Sequence, residues 1–234
     1  MTILSGRTMR RRGVERVNLL LDATERLLET HADEDISLAQ IAEEAGVPLP
    51  SVYHFFPNRN AAFEALALRF NEEIYRRSIE PLTDPEPQSW QELLDMKHAR
   101  AAAFQNSRPA ALRLFLGAGV SVAIRNADFS GNARIARSRA RFFEAYFHMP
   151  VIENFPLKLE MAAAANEGIW SLSYGRYGYI SDAFRREGTA TAIAFLRRYL
   201  PEVLPRKPLT EEALARIDRD EAPPDTPEPM PARA

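Results

Sequence analysis

The chain has 234 residues with a formal net charge of -2, enough for one domain with a sizeable core or for a small domain attached to a larger one. There is no cysteine, which excludes disulfides, thiolate chemistry and cysteine-based metal sites. The longest apolar clusters, VNLLLDA and EMAAAA, fall far short of a membrane span, and Asp22 and Glu25 interrupt any signal-peptide core, so a cytoplasmic protein with no membrane partner is expected.

Charge is unevenly placed. Arg7, Arg10, Arg11, Arg12 and Arg16 lie within ten residues against one acid, Glu15, and make residues 1–13 a flexible cationic arm. Val14, Val17, Leu20, Leu21, Thr24, Leu27 and Leu28 then recur at helical spacing over residues 14–30. HADED breaks the pattern.

The stretch SLAQIAEEAGVPLPSVYHFF, residues 37–56, carries the most information. Leu38, Ile41, Ala42 and Ala45 put four apolar side chains on one face of a short helix. Ser37 with Gln40 has the capping-box spacing, and Ile36 with Ile41 that of a hydrophobic staple. Gly46 stands where a left-handed residue ends a helix. A second apolar set, Val47, Val52 and Phe56, follows after a gap that only a tight turn fits, so two short helices crossing steeply are expected. The residue before Pro50 is biased away from helical angles, which places the second helix start at Pro50 with Leu49 at its cap.

From the N-cap Asn58 a longer helix turns Phe63, Leu66, Phe70 and Ile74 inward, and Pro81, Pro85 and Pro87 close the segment. Ser89 and Glu92 open a helix through about Asn106. Pro109 fits the first turn of the next, which carries Leu112, Phe115 and Leu116 and meets Gly117 and Gly119. A loop-like DFSGN precedes a helix over about 132–148. The last two helices, 157–174 and 182–200, are separated by GRYGY and carry the stripes Leu159, Ala162, Ala163, Asn166, Ile169, Trp170, Ser173 and Phe184, Gly188, Ala192, Phe195, Leu196, Tyr199. Gly188 costs on the order of 1 kcal/mol in mid-helix and marks a close helix approach. Residues 205–234 form a proline-rich tail, largely disordered. The fold class is all-α, divided at 14–80, 81–204 and the tail.

A helix that enters a major groove exposes short polar side chains toward bases and keeps phosphate donors at its flanks. Ser51, Tyr53 and His54 are placed for this, while Val52 and Phe56 turn inward. Ser37 and the backbone N–H groups behind it suit a phosphate, Arg59 adds a charged contact, and Arg10, Arg11 and Arg12 suit a minor groove or phosphates.

The run ISLAQIAEEAGVPLPSVYHFFPNRNAAFEAL, preceded by LLLDATERLLE, resembles the DNA-binding domain of the tetracycline-repressor-like (TetR) family of transcriptional regulators over roughly residues 14–68. The resemblance implies a homodimer with a three-helix helix-turn-helix DNA-binding domain, followed by a larger helical domain that binds a small effector and dimerises through its last two helices. It gives Ser37 the role of phosphate contact and Tyr53 and His54 that of the aromatic and polar pair ending the recognition helix; Arg59 stands where lysine is usual. It also implies a palindromic double-stranded DNA operator and, by the family's usual mode, repression relieved by the effector. Pro48, Leu49 and Pro50 depart from the family, with Leu49 suited to a thymine methyl.

In the second domain Trp90, Phe104, Phe115, Phe143, Tyr146, Trp170 and Tyr174, with Arg113 and Asn166, are candidates to line an effector cavity between helices of residues 89–175. An aromatic or lipophilic effector is expected, because this set is rich in aromatics and poor in lysine. No cofactor or metal is expected. An effector-free regulator of the same family is one alternative. A helical-bundle enzyme is another, but Asp95 with His98 is the only approach to a Glu-x-x-His spacing, Glu144 with His148 is isolated, and there is no phosphate loop, HExxH or nucleophile elbow.

Overall fold

The computed structural model describes residues 11–31, 36–117 and 121–217. Among them lie ten helices and no strand: α1 (Arg11–Thr30), α2 (Leu38–Ala45), α3 (Leu49–Phe55), α4 (Arg59–Ser78), α5 (Trp90–Asn106), α6 (Pro109–Leu116), α7 (Val122–Tyr146), α8 (Phe155–Tyr177), α9 (Asp182–Leu196) and α10 (Glu211–Ile217). None of the described helices is long and apolar enough to cross a membrane.

Local chemistry accounts for most helix ends. The Ser37 hydroxyl accepts from the Gln40 N–H, and the Gln40 side chain accepts from the Ser37 N–H at 2.8 Å, a closed capping box. Gly46 adopts φ 63°, and the Val47 N–H reaches the Ala42 carbonyl at 2.9 Å, the hydrogen bond that satisfies an orphan carbonyl in a Schellman ending. Asn58 caps α4 through the Ala61 N–H at 3.0 Å. Ser89 caps α5 through the Glu92 N–H, but Glu92 reaches back to the Gln88 N–H.

Two extended cores carry the packing. The first joins Leu20, Leu28, Ile36, Ile41, Val52, Phe56, Phe63, Leu66 and Phe70 of the first four helices and the segments between them to Ala110, Ala111, Leu114 and Phe115 of α6 and Ile124 of α7. The second joins Trp90, Leu93, Phe142, Phe143, Tyr146, Phe155, Leu159, Ala192 and Leu196. The proline boundary near residue 81 therefore does not divide the packing, because α6 completes the first core.

Several expectations are corrected. α1 begins at Arg11 rather than 14; Arg10 lies outside the described residues, and only the backbone of Arg11 and Arg12 is described. α3 begins at Leu49 with Pro48 at the cap, since Pro50 lacks only an N–H that the first helical turn leaves unbonded anyway. DFSGN is not a loop: α7 runs straight through it. Gly131 there faces Asn71 of α4 so closely that a Cβ would meet the Asn71 side chain at 2.8 Å, and Asn71 donates to the Ala127 carbonyl at 2.9 Å. α8 likewise continues into GRYGY and ends where Gly178 takes φ 77°.

The described part of the tail is ordered. The His148 N–H bonds to Pro205 O and the Lys207 N–H to Tyr146 O, both at 2.8 Å. Arg141 Nε donates to Ile217 O at 3.1 Å, and Ile217 is buried in the second core. Residues 218–234 lie outside the described residues.

Gly188 marks close packing of α8 on α9. A Cβ there would fall 2.2 Å from Asn166 Oδ1 and 3.1 Å from Trp170 Nε1. Gly188→Ala gains about 1 kcal/mol of helix propensity but overpacks the contact by about 1–3 kcal/mol. The expected result is a lower melting temperature with altered tryptophan emission; a rise in melting temperature with unchanged emission contradicts the close packing.

Candidate functional site

The first candidate surface is the outer face of α2 and α3. Val52 is fully buried and Phe56 nearly so, which locks α3 across α2. Its other side carries Tyr53, 57% exposed, and an exposed His54 whose ring stands edge-on to Phe55 at 5.1 Å. Ser51 is half-buried and accepts from Arg16 Nη1 at 3.2 Å. Pro50 is exposed, while Leu49 is half-buried and packs on the first core. That placement draws Leu49 away from the role expected for it and leaves Pro48 and Pro50 as the open groups at the start of α3. Ser37 is exposed with its hydroxyl in the capping box. Arg59 is half-buried, its Nη1 3.4 Å from the Ile36 carbonyl.

The second is a cavity of about 90 Å³ enclosed by α4, α5, α6, α7 and α8. Of the residues expected to line it, Phe104, Phe115, Asn166 and Trp170 do. Trp90, Phe143 and Tyr146 belong to the second core instead, with Trp90 Nε1 donating to Pro201 O at 2.9 Å and the Tyr146 hydroxyl to Leu82 O at 3.0 Å. Arg113 turns the other way and donates to the Leu28 and His31 carbonyls at the end of α1, where a cation meets the negative helix terminus. Tyr174 lines a separate open cleft with Leu116, Gly117 and Arg125.

What the aromatic expectation missed is polar. Lys97, His98, Gln105, Asp128, Arg139 and Glu167 all line the cavity, so the lining is neither purely lipophilic nor free of lysine. Burial pushes the Lys97 amine down to about 6, with Arg139 and Arg100 adding to it. Burial likewise drives His98 down to about 3, leaving a neutral ring that meets Thr189 Oγ1 at 3.0 Å and stands edge-on to Trp170. On the facing side burial raises Asp128 to about 6 against the pull of Arg125. Burial, reinforced by the Asp128 charge, raises Glu167 to about 8 although Asn132 donates to it. A signal for these residues does exist in the sequence. Lys97, Ala101, Phe104 and Gln105 share one face of α5, and Asn132, Ile135 and Arg139 one face of α7, at helical spacing beside buried apolar positions.

The two regions meet on α6. Phe115 belongs to the first core and also lines the cavity. At the N-terminal end of α6, Arg108 bridges Glu25 of α1 at 3.0 Å and Glu73 of α4 at 3.1 Å, and Glu25 in turn meets Arg69 at 2.6 Å.

Packing does not require Tyr53 or His54 to project from α3, whereas groove recognition by the second helix of a helix-turn-helix does. The class this defines is the DNA-binding transcriptional regulators. Residues 20–66 match the family described as bacterial regulatory proteins, tetR family, whose members are transcriptional regulators. The likeness of fold runs on through the second domain. A TetR-family transcriptional regulator from Streptomyces coelicolor is 22% identical with a TM-score of 0.61, over 80% of this chain and 98% of that one. A TetR transcriptional regulator from Rhodococcus sp. RHA1 is 16% identical with a TM-score of 0.59, over 81% and 100%. A TetR family transcription regulator from Marinobacter aquaeolei VT8 is 17% identical with a TM-score of 0.51, over 85% and 100%. No curated protein sequence matches the chain.

Proposed function

We propose that the chain is a homodimeric repressor whose palindromic operator is released when a small molecule enters the cavity between α4, α5, α6, α7 and α8. The observation that carries this is Phe115, which belongs at once to the cavity wall and to the core that supports the DNA-binding helices. A ligand that displaces α6 must displace α1 and α4 with it, through that core and through the Arg108 bridges.

On DNA, Ser37, Ser51, Tyr53, His54 and Arg59 hold phosphates, and the Pro48–Pro50 corner faces the base edges in place of a longer polar side chain. Arg10, Arg11 and Arg12 reach the neighbouring backbone or minor groove. Two copies of α3 about 34–36 Å apart enter successive major grooves.

Dimerisation uses α8 and α9, but not through the stripes expected from sequence. Asn166, Trp170, Gly188, Ala192 and Leu196 already pack within the chain. The face left open carries Leu157, Met161, Ala164, Gly168 and Leu172 of α8 with Ala183, Ala190 and Ala194 of α9. Apolar and small positions at helical spacing suit a four-helix interface between two copies.

The test starts from an operator selected out of random DNA. A compound that perturbs tryptophan emission and releases that operator must bind more weakly when operator is present, by the same factor of about 5–150. Equal affinity with and without operator excludes the mechanism.

A further inference from the structure

Arg139 is a cation with no counter-charge among the described residues. It projects from α7 into the cavity, is 8% exposed, and its Nε has no hydrogen-bond partner among them. Among the described residues no carboxylate pairs with it. Burial alone lowers its pKa, to about 10, so it stays charged at neutral pH.

The other basic groups of the lining are already engaged. Lys97 donates to the Ser78 carbonyl at 2.9 Å and the Glu80 carbonyl at 2.6 Å, over the Phe142 ring. Arg100 reaches Pro81 O at 3.2 Å, and Arg77 stacks 4.6 Å from the centre of the Phe104 ring. The carboxyls are engaged too: Asp128 with Arg125 at 3.2 Å, and Glu167 with Asn132 at 2.9 Å.

Gln105, another lining residue, has a deeply buried Oε1 without a partner among the described residues, whereas the unpartnered Asn166 Oδ1 and Trp170 Nε1 face Gly188 of α9. A buried guanidinium is ordinarily paired, because an isolated buried charge is far costlier than a paired one. An unpaired guanidinium and an unpartnered amide oxygen lining one cavity from α7 and α5 mark a site completed by a polar ligand rather than an apolar void. The space is about six to nine times what one water needs, and Ile74, Phe104, Phe115 and Trp170 give it apolar walls.

We propose that this cavity takes a small amphipathic organic acid, its carboxylate held by Arg139 and its apolar body lying against Phe104, Phe115 and Trp170. The fork of the guanidinium matches a carboxylate in two parallel hydrogen bonds. A doubly charged phosphate is disfavoured, because Asp128, mostly ionised at neutral pH, lines the same space. The assignment rests on the cavity being the effector site and names the class of effector.

The experiment is calorimetric titration of the full chain at neutral pH with phenylacetate, its neutral amide phenylacetamide, and the dianion phenyl phosphate. Phenylacetate binds roughly tenfold or more tighter than phenylacetamide, and Arg139→Met weakens the acid by roughly tenfold or more while changing the amide by less than about twofold. The variant folds, as circular dichroism checks, because an apolar chain replaces an unpaired buried charge. Equal binding of acid and amide, unchanged acid affinity in the variant, tighter binding of the phosphate, or no binding of any probe overturns the assignment. A gel shift on the selected operator separates the two proposals. Acid binding that depends on Arg139 but leaves DNA bound sinks the effector role and keeps the acid site. Release by a neutral compound, undiminished by Arg139→Met, does the reverse.

Discussion

Arginine at both Met161 and Leu172 converts the proposed dimer to a monomer and lowers operator affinity by more than about a hundredfold. The two side chains stand 44% and 51% exposed in the single chain, so neither substitution disturbs its own core. Across a two-fold interface each residue lies on the patch that meets its own copy, so the new charges are buried near like charges without partners, at a cost of several kcal/mol per ion. The loss at the operator follows from avidity, since linking two half-site contacts raises binding by roughly 10²–10⁴ over one alone. Sedimentation equilibrium and gel shift on the same samples measure both effects. A dimer that persists in the double variant removes α8 from the interface.

Tyr53→Ala with His54→Ala lowers operator affinity by about a hundredfold or more. Hydrogen bonds to charged groups contribute about 1.5–3 kcal/mol each, and the dimer repeats them at both half-sites. Because phosphates carry no sequence information, the loss is nearly uniform over operator and unrelated DNA, and the dependence on salt flattens. The fold is untouched, since both side chains are exposed while Val52 and Phe56 hold α3 in place. A loss confined to operator, with the salt slope preserved, assigns Tyr53 and His54 to bases instead.

The head was legible in the sequence because its determinants are local. Ser37 and Gln40 cap one another, and Gly46 takes the left-handed conformation its place in the sequence demands. DFSGN was misjudged because Gly131 answers to Asn71, sixty residues away, and a glycine that admits a neighbouring helix looks the same in sequence as one that ends its own. The helices at 157–174 and 182–200 were found, but Asn166, Trp170, Gly188, Ala192 and Leu196 of their stripes pack within the chain. Both the buried face, with Asn166 and Trp170, and the open one, with Leu157, Met161 and Leu172, are mostly apolar or small, so periodicity cannot tell chain-internal packing from a partner's. In the cavity, aromatic residues were preferred over charged ones, and Lys97, His98 and Arg139 were not among the candidates. Their place on one face with buried apolar positions is a weak signal, and the convergence of α5, α7 and α8 shows that these side chains point inward.

Sharing α6 between the two parts has a consequence for how the protein comes apart. Ala110, Ala111, Leu114 and Phe115 fill the core of the DNA-binding head, so a fragment cut near residue 81 leaves that core open on one side. Such a fragment melts early and aggregates through the exposed patch. In the intact chain the head and the cavity lose structure in one cooperative transition, and amides in α1 and α6 exchange with solvent at a common free energy.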